Sequence, residues 1–553
     1  MTHRLMRFLV PIILCISLIV SCITVPHRPT ITSKETLFTL LQINDVYKIE
    51  GLQKGEIGGL ARVRTLRREL EAEGRPVIML LAGDFLYPSV MSKYLHAQPM
   101  VKILNLMDGD PGAFDEHLVV TFGNHEFDNP DGGILLGRIA QSDFDWVSSN
   151  VRYLTTPEAE SESFNRRLKN IHEVITRDLG GVRVGIFSVT LDSRPRDYIR
   201  YAYAPEERRA AVQAAMKELR AEGAQFIIAL THQDLAKDEH LAEDFPEIDL
   251  VIGGHEHFYI ESRIGHTWIT KADSDAQSAL VYDIRVSDKG EIEAAPHLVQ
   301  LDGHIAKDPL VEHETAHYLN ELREVIKEQT RRDSMQEIGR TRYLLEGIEP
   351  VLRGRETALG DFLADVIRER LKTDIAFVNS GSIRINDNIP PGPVTVYDLE
   401  GIFYFENTLA ACEITGTQLL DILRNSVSKV HLGDGRFLQV SGLRFRYHVA
   451  GTPDKPSYRI EADDVQIQPR GSEGYVPLDI QRKYTAGMTD FIWQNGFRDG
   501  YELFSQGKSG SGPIEIPMDR PMGFRKAVEE AIAALPDRTI TTQVQGRITQ
   551  VKE

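Results

Sequence analysis

The run Leu118-Val119-Val120-Thr121-Phe122-Gly123-Asn124-His125-Glu126-Phe127-Asp128 decides how this chain is to be read. Five apolar or β-branched residues, the pattern of a buried strand, give way through one glycine to Asn, His and Glu, side chains that ligate ions or move protons. Four other runs end the same way. Leu37-Phe38-Thr39-Leu40-Leu41-Gln42-Ile43 meets Asn44-Asp45, and Val77-Ile78-Met79-Leu80-Leu81 leads to Gly83-Asp84. Phe226-Ile227-Ile228-Ala229-Leu230 meets Thr231-His232, and Leu250-Val251-Ile252 meets Gly253-Gly254-His255-Glu256-His257. One His or Asp after a strand is commonly a turn former. Five together, at the same end of strands in one sheet system, converge in space. Asp, Asn and His supply oxygen and nitrogen donors suited to Zn, Mn or Fe, with no Cys to steer the site toward sulfur chemistry.

Length and composition set the frame. The 553 residues exceed one ordinary core, so two or three domains are expected, and 42% hydrophobic with 26% charged residues fits a globular protein. A net charge of -18 argues against a nucleic acid polymer as partner, because such binding depends on neutralising phosphates with Lys and Arg. An anionic substrate must be held by local cations or metal.

The amino terminus places Arg4 and Arg7 before a mostly apolar stretch, Phe8 to Val20, the length of an export signal and short for a spanning helix. Ile19-Val20-Ser21-Cys22 resembles a bacterial lipobox, which implies lipid attachment at Cys22 and a protein anchored at the outer face of a membrane or in the periplasm. With cysteines at positions 15, 22 and 412 alone, cleavage of Cys15 and acylation of Cys22 leave no intramolecular disulfide. Cys412, in Leu409-Ala410-Ala411-Cys412, reads as a small core residue.

Short apolar runs separated by turns and helical segments continue from Leu37 to about Leu298, the look of a layered α/β domain. A helix follows Asp308-Pro309, with Leu319, Leu322, Val325 and Ile326 at helical spacing. A second α/β region opens near Leu352, where Leu359, Phe362, Leu363, Val366 and Ile367 share a helix face before the strand-like Ile375-Ala376-Phe377-Val378. Thr155 to Arg167 is polar and reads as a surface insertion.

The strand-end motifs resemble those of the calcineurin-like metallophosphoesterases, and Gly123-Asn124-His125-Glu126-Phe127-Asp128 is similar to the 5'-nucleotidase family in particular. The resemblance implies an α/β fold: a four-layer α/β/β/α sandwich at 36–303, a linker helix at 304–335 and a C-terminal substrate-binding α/β domain at 336–553, after a signal peptide at 1–21 and a tether at 22–35. It implies two first-row metal ions, divalent or mixed-valence, with Zn, Mn, Fe and Co all compatible. Asp84 would bridge them, Asp45 and His257 would hold one, and Asn124, His232 and His255 the other. His125 would stand off the metals beside the scissile phosphate, with Asp128 fixing its tautomer; a helix-capping role for Asp128 is the alternative.

The family usually has Asp-x-His where this chain has Asp45-Val46-Tyr47. Tyr47 either points away, leaving water to complete the sphere, or coordinates through its phenolate as in purple acid phosphatases, which would favour ferric iron. Asn379-Ser380-Gly381-Ser382-Ile383-Arg384 is similar to the family's Asn-Gly-Gly-x-x-Arg substrate motif, and Arg353 matches a second substrate arginine. Such a pair of forks is suited to phosphate. Phe405 stands where the first base-stacking ring is expected. The closing motif, Asn495-Gly496-Phe497-Arg498-Asp499-Gly500-Tyr501, carries an extra residue; it leaves Trp493, Phe491 and Phe497 as rivals for the second ring and Asp499 as a substrate-hydroxyl or turn residue. A nucleotide substrate is the leading expectation. Sugar phosphates, nucleotide sugars or cyclic nucleotides come next, and a surface binding lipoprotein with a decayed site is the reading from another class.

Overall fold

The computed structural model describes residues 36–192, 195–286, 292–452, 455–504, 512–518 and 520–552. The expected signal peptide, tether and Cys22 lie outside the described residues.

In the N-terminal half the strands of the two main sheets are β1 (Thr36–Ile43), β2 (Val77–Leu81), β3 (Asp115–Thr121), β4 (Phe144–Val147), β5 (Ile171–His172), β6 (Val174–Leu179), β7 (Val182–Thr190), β8 (Phe226–His232), β9 (Leu250–Gly254), β10 (Ile260–Ile264), β11 (Thr267–Lys271), β12 (Ser278–Val286) and β13 (Ile292–Gln300). They form two sheets, ordered β13-β12-β1-β2-β3-β4-β5 and β10-β11-β9-β8-β7-β6. β1 to β5 pair in parallel, as do β7, β8, β9 and β11. The carboxyl ends of β1, β2 and β3 therefore share one edge of the first sheet, and those of β8 and β9 share one edge of the second.

Alternation along each strand builds the layers. Phe38, Leu40, Ile78, Leu80 and Val119 point toward the other sheet, where they pack with Val184, Ile186, Phe226, Ile228, Leu230 and Ile252. Leu41, Ile43, Met79, Leu81 and Val120 point the other way, onto helices that include Leu60–Glu71, Val90–Leu95 and Gln98–Leu104. On the far side, Phe187, Ile227, Ala229 and Val251 pack on Val212, Met216 and Leu219 of helix Pro205–Ala221. The result is a helix–sheet–sheet–helix sandwich whose apolar runs are buried on both faces, as parallel strands require. The Thr155 to Arg167 segment is mostly surface, but Phe164 is buried against Phe122 at 5.3 Å between ring centroids.

Helix Pro309–Thr330 begins at Asp308, whose side chain accepts from the backbone N–H of Leu310 and Val311. Its Val311, Leu322 and Ile326 are buried in the outer core of the N-terminal half. The C-terminal half centres on a sheet of β14 (Ile375–Asn379), β15 (Leu409–Thr415), β16 (Leu438–Ser441), β17 (Lys483–Thr489) and β18 (Ile514–Glu515), ordered β16-β14-β17-β15-β18. Ala376 and Val378 face helices Ala358–Leu371 and Phe524–Ala534, while Ile375 and Phe377 face helix Gly416–Val427. Cys412 is fully buried in this core, and burial pushes its thiol up to about 12.

The halves meet through polar contacts. Lys48 pairs with Asp387 at 3.3 Å, the Tyr397 hydroxyl donates to Glu50 at 3.4 Å, and the Asn386 amide donates to the buried Asp275.

Candidate active site

Three of the turns that follow the strands are tight. Asp45, Asp84 and His255 all adopt left-handed backbone conformations, with φ of +52°, +56° and +87°. Such conformations are costly for residues with a Cβ and persist where surrounding bonds hold them. The bonds are present: Asp45 N–H donates to Gly83 O at 3.0 Å, and His255 N–H donates to Asp45 Oδ2 at 3.0 Å. Glycines clear the space between. A Cβ on Gly123 would lie 2.1 Å from Asp84 Oδ1, and one on Gly254 would lie 2.3 Å from Ala82 O.

Glu126 ties two of these turns together. It is wholly buried, and its carboxylate accepts from the backbone N–H of Asp84 at 2.9 Å, Phe85 at 2.8 Å, Leu86 at 3.0 Å, and Gly123. Burial and the nearby Asp84 push its carboxyl up to about 7 against the pull of those donors. On the other sheet, buried Lys271 reaches Gln233 O at 2.6 Å, Asp238 at 3.0 Å and Glu256, so it joins the loop after His232 to the loop that carries His255 and His257. Glu126 and Glu256 stood in view in the sequence, yet only the fold reveals them as braces.

The side chains these turns present converge. Asp45, Asp84 and His232, all buried, bring one ligand atom each within 4.8 Å of the others. His232 Nε2 lies 3.1 Å from Asp84 Oδ2, and its Nδ1 lies 2.7 Å from Ala82 O, so Nδ1–H is committed to that carbonyl and Nε2 is the nitrogen turned to the site. The His255 ring stands 5.4 Å from that of His232. The side-chain oxygen of Asn124 is buried without a hydrogen-bond partner, an orphan that an ion would satisfy.

Tyr47 points inward. Its hydroxyl lies 3.1 Å from Asp84 Oδ2, 3.1 Å from His257 Nε2 and 3.3 Å from Asp45 Oδ1, and His257 Nε2 is 3.3 Å from Asp45 Oδ1. Separations of this size are the edges of a coordination polyhedron: donors about 2.0 Å from one tetrahedral ion stand roughly 3.3 Å apart. Burial and the Asp84 and Asp45 carboxylates push the Tyr47 phenol well above its ordinary range, so without ions its hydroxyl keeps its proton and donates to them. Burial alone would lower the His232 imidazolium, but Asp84 and Asp45 outweigh it and lift its pKa to about 10; His257 rises to about 9 against burial because of Glu349 and Asp45. Two buried carboxylates demand positive charge, which the imidazoles supply here and which ions would supply better. The donor set fits first-row ions.

His125 lies beside this cluster. Its backbone N–H donates to Asp84 Oδ1 at 2.8 Å, and its ring Nδ1 is 2.8 Å from Asp128 Oδ2. The helix that follows, Gly132–Ala140, is capped by Asp131, which leaves Asp128 to the imidazole. His125 Nε2 lies 3.4 Å from Arg384 Nη2, across the boundary between the halves.

His125 and His255 line a cleft of about 550 Å³ together with Arg353, Asn379, Arg384, Phe405 and Asp499. The structure therefore brings all five expected substrate residues of the C-terminal half to one opening. Of the rival aromatics, Phe491 lines the same cleft as Phe405, Trp493 packs on Phe504 at 6.0 Å, and Phe497 is exposed. Tyr501, which closes the motif, is buried and bonds to Arg436 O. Glu349, which sequence reasoning passed over, meets His257 from the C-terminal half.

Residues 38–259 match the family model for calcineurin-like phosphoesterases, and residues 337–506 match that for the 5'-nucleotidase C-terminal domain. The chain belongs to the calcineurin-like phosphoesterases that carry a 5'-nucleotidase C-terminal domain. This phosphoesterase is a metal-dependent phosphoester hydrolase. It is similar to the snake venom 5'-nucleotidase of Naja atra, 27% identical over 86% of this chain and 94% of that protein. It is also 27% identical to the trifunctional nucleotide phosphoesterase protein YfkN of Bacillus subtilis over 93% of this chain, which spans only 35% of that longer protein. Among solved structures, a 5'-nucleotidase precursor from Thermus thermophilus superposes with a TM-score of 0.71 at 23% identity, covering 93% of this chain and 99% of that one. The sulfate thiohydrolase SoxB of Thermus thermophilus does so at 0.67 and 17% identity, covering 93% and 97%. The fold thus hosts more than one chemistry, and the site must decide the substrate.

Glu126→Ala would strip the acceptor from four buried backbone N–H groups. It should cost about 3 kcal/mol or more and weaken ion binding, read from urea melts with and without metal; a variant as stable as the parent would show that the carboxylate does not brace the turns.

Proposed function

We propose that this phosphoesterase removes phosphate from nucleotides outside the cytoplasm at a two-ion centre. The observation that carries the reading is the single cleft in which His125 and Arg384 meet while Phe405 and Phe491 line the wall. Arginine forks with an adjacent acid suit a phosphate, and two rings suit a base. The similarity to the Naja atra 5'-nucleotidase supports the same substrate class.

In this reading Asp84 would be shared by the two ions, Asp45, Tyr47 and His257 would hold one, and Asn124, His232 and His255 would hold the other. Ions held there would polarise the phosphoryl group and supply a nucleophile at neutral pH. The rest belongs to the protein. Arg353 and Arg384 hold the anionic end of the substrate, and Asn379 and Asp499 meet its polar edges. His125 has its Nδ1–H directed at Asp128; carrying a second proton on Nε2 as the imidazolium, it gives that proton to the oxygen that leaves phosphorus as the P–O bond breaks and is left neutral.

Metal-reconstituted protein should hydrolyse AMP well above UDP-glucose, bis(p-nitrophenyl) phosphate and sugar phosphates. His125→Ala should keep its ions and lose turnover by about 10²–10⁴-fold, whereas Asp84→Ala should lose ions too. No turnover of any of these compounds with Mn, Co, Zn or Fe would overturn the enzymatic reading, and equal ion loss in both variants would overturn the role given to His125.

Tyr47 takes the place of a family histidine, and its inward hydroxyl supports coordination rather than a water-filled gap. A phenolate ligand favours a hard ion. The iron-loaded protein should show a tyrosinate charge-transfer band in the visible spectrum that Tyr47→Phe abolishes; a colourless ferric protein would rule this ligand out.

The lipobox-like Ile19-Val20-Ser21-Cys22 supports export and a lipid anchor. Among the described residues no helix is long and apolar enough to cross a membrane. Expression in a bacterial host with labelled palmitate should label the full chain and not Cys22→Ser; a label that survives the substitution would refute the anchor.

A further inference from the structure

Glu349 opens the short helix Glu349–Leu352 in the C-terminal half, where its backbone N–H donates to Asn386 Oδ1 at 3.0 Å and its residue is 2% exposed. Its Oε2 lies 2.5 Å from His257 Nδ1 and 2.7 Å from Arg353 Nη2, and its Oε1 lies 3.0 Å from Arg384 Nη1. One carboxylate thus serves an imidazole of the N-terminal half and both guanidinium groups of its own half. A buried charge is tolerated only when it is paired in this way.

The two nitrogens of His257 face different domains. Nε2 looks toward Asp45 and Tyr47, and it can offer a lone pair there only when the ring proton sits on Nδ1. An acceptor at Nδ1 fixes that tautomer and the ring angle. Glu349 is the carboxylate set against that nitrogen, with Oε2 at 2.5 Å as an ion pair off the N–H axis, and it comes from the half of the chain that carries the substrate residues. Its other oxygen holds Arg384, whose Nη2 stands 3.4 Å from His125 Nε2.

We propose that Glu349 is a positioning residue that sets two things at once: the lone pair of His257 in the Asp45–Tyr47–His257 half-site, and the Arg353–Arg384 clamp over His125. The half-site is then a two-domain structure. Its integrity depends on the C-terminal half being docked, and the clamp is aimed by the same contact. The inference rests on reading Asp45, Tyr47 and His257 as holding one ion.

The test is ion binding by the metal-stripped full chain, titrated with Zn²⁺ by calorimetry and equilibrium dialysis. The unmodified protein should take two ions. Glu349→Ala and the isosteric Glu349→Gln should keep one ion at unchanged affinity and bind the other about 10–100-fold more weakly. In a double-mutant cycle with His257→Ala the effect of Glu349→Ala should vanish, since it acts through that ring. KM for AMP should rise in both variants as the arginines lose their anchor. Unchanged affinity for both ions would overturn the proposal alone, as would additivity in the cycle. Equal weakening of both ions, in Glu349→Gln protein whose melting matches the parent, would overturn it by showing no half-site selectivity. Fewer than two ions on the unmodified chain would instead overturn the two-ion reading on which it rests.

Discussion

Two carboxylates, Asp45 and Asp84, stand fully buried at the ends of adjacent parallel strands, and the surrounding structure is organised by their demand for positive charge. Burying an unpaired carboxylate is prohibitive, and burying two side by side is worse. His232 and His257 answer from the second sheet and its following loop, their pKa values lifted by that demand. The pairing works only because the two sheets stack with their strands' carboxyl ends at one edge. It is also what makes the centre a cation site, since any charge that satisfies the carboxylates better will displace the imidazole protons.

A second ring of buried charges holds this arrangement in place. Glu126 gathers the turns after β2 and β3, Lys271 gathers those after β8 and β9, and Glu349 gathers His257 with two arginines of the other half. Each is a polar group that costs free energy to bury and so must be fully partnered, which fixes geometry more sharply than apolar packing does. The cleft inherits this precision: Arg384 reaches His125 from across the boundary because its own position is held by the group that orients a candidate ion ligand.

The legible part of the fold was its strands. Short, continuous apolar runs such as Phe38 to Ile43 and Phe226 to Leu230 fit strands buried on both faces, and the residues that end them carry chemistry in the order they are read. Asp45, Asp84, Asn124, His232, His255 and His257 were all visible in that way, whereas the His125–Asp128 pair came through the family resemblance. The sandwich of layers came through the resemblance and matches the structure. Tyr47 was visible as an oddity, but its direction was not, because a tyrosine after a strand can turn either toward a site or away from it.

The chain's sequence by itself determined which residues could ligate, which strands would deliver them, and that so acidic a chain must hold any anionic substrate through local cations or metal. Tertiary structure alone decided the rest. Glu349 lies 92 residues beyond His257, and no spacing rule links them; their contact exists because the two halves dock. Phe491 lines the cleft, whereas Trp493 packs on Phe504 and Phe497 is exposed, a division that only packing in the C-terminal half reveals. Local sequence specifies dihedral angles and buried faces, whereas which distant charges meet is settled by the burial cost that only the assembled fold imposes.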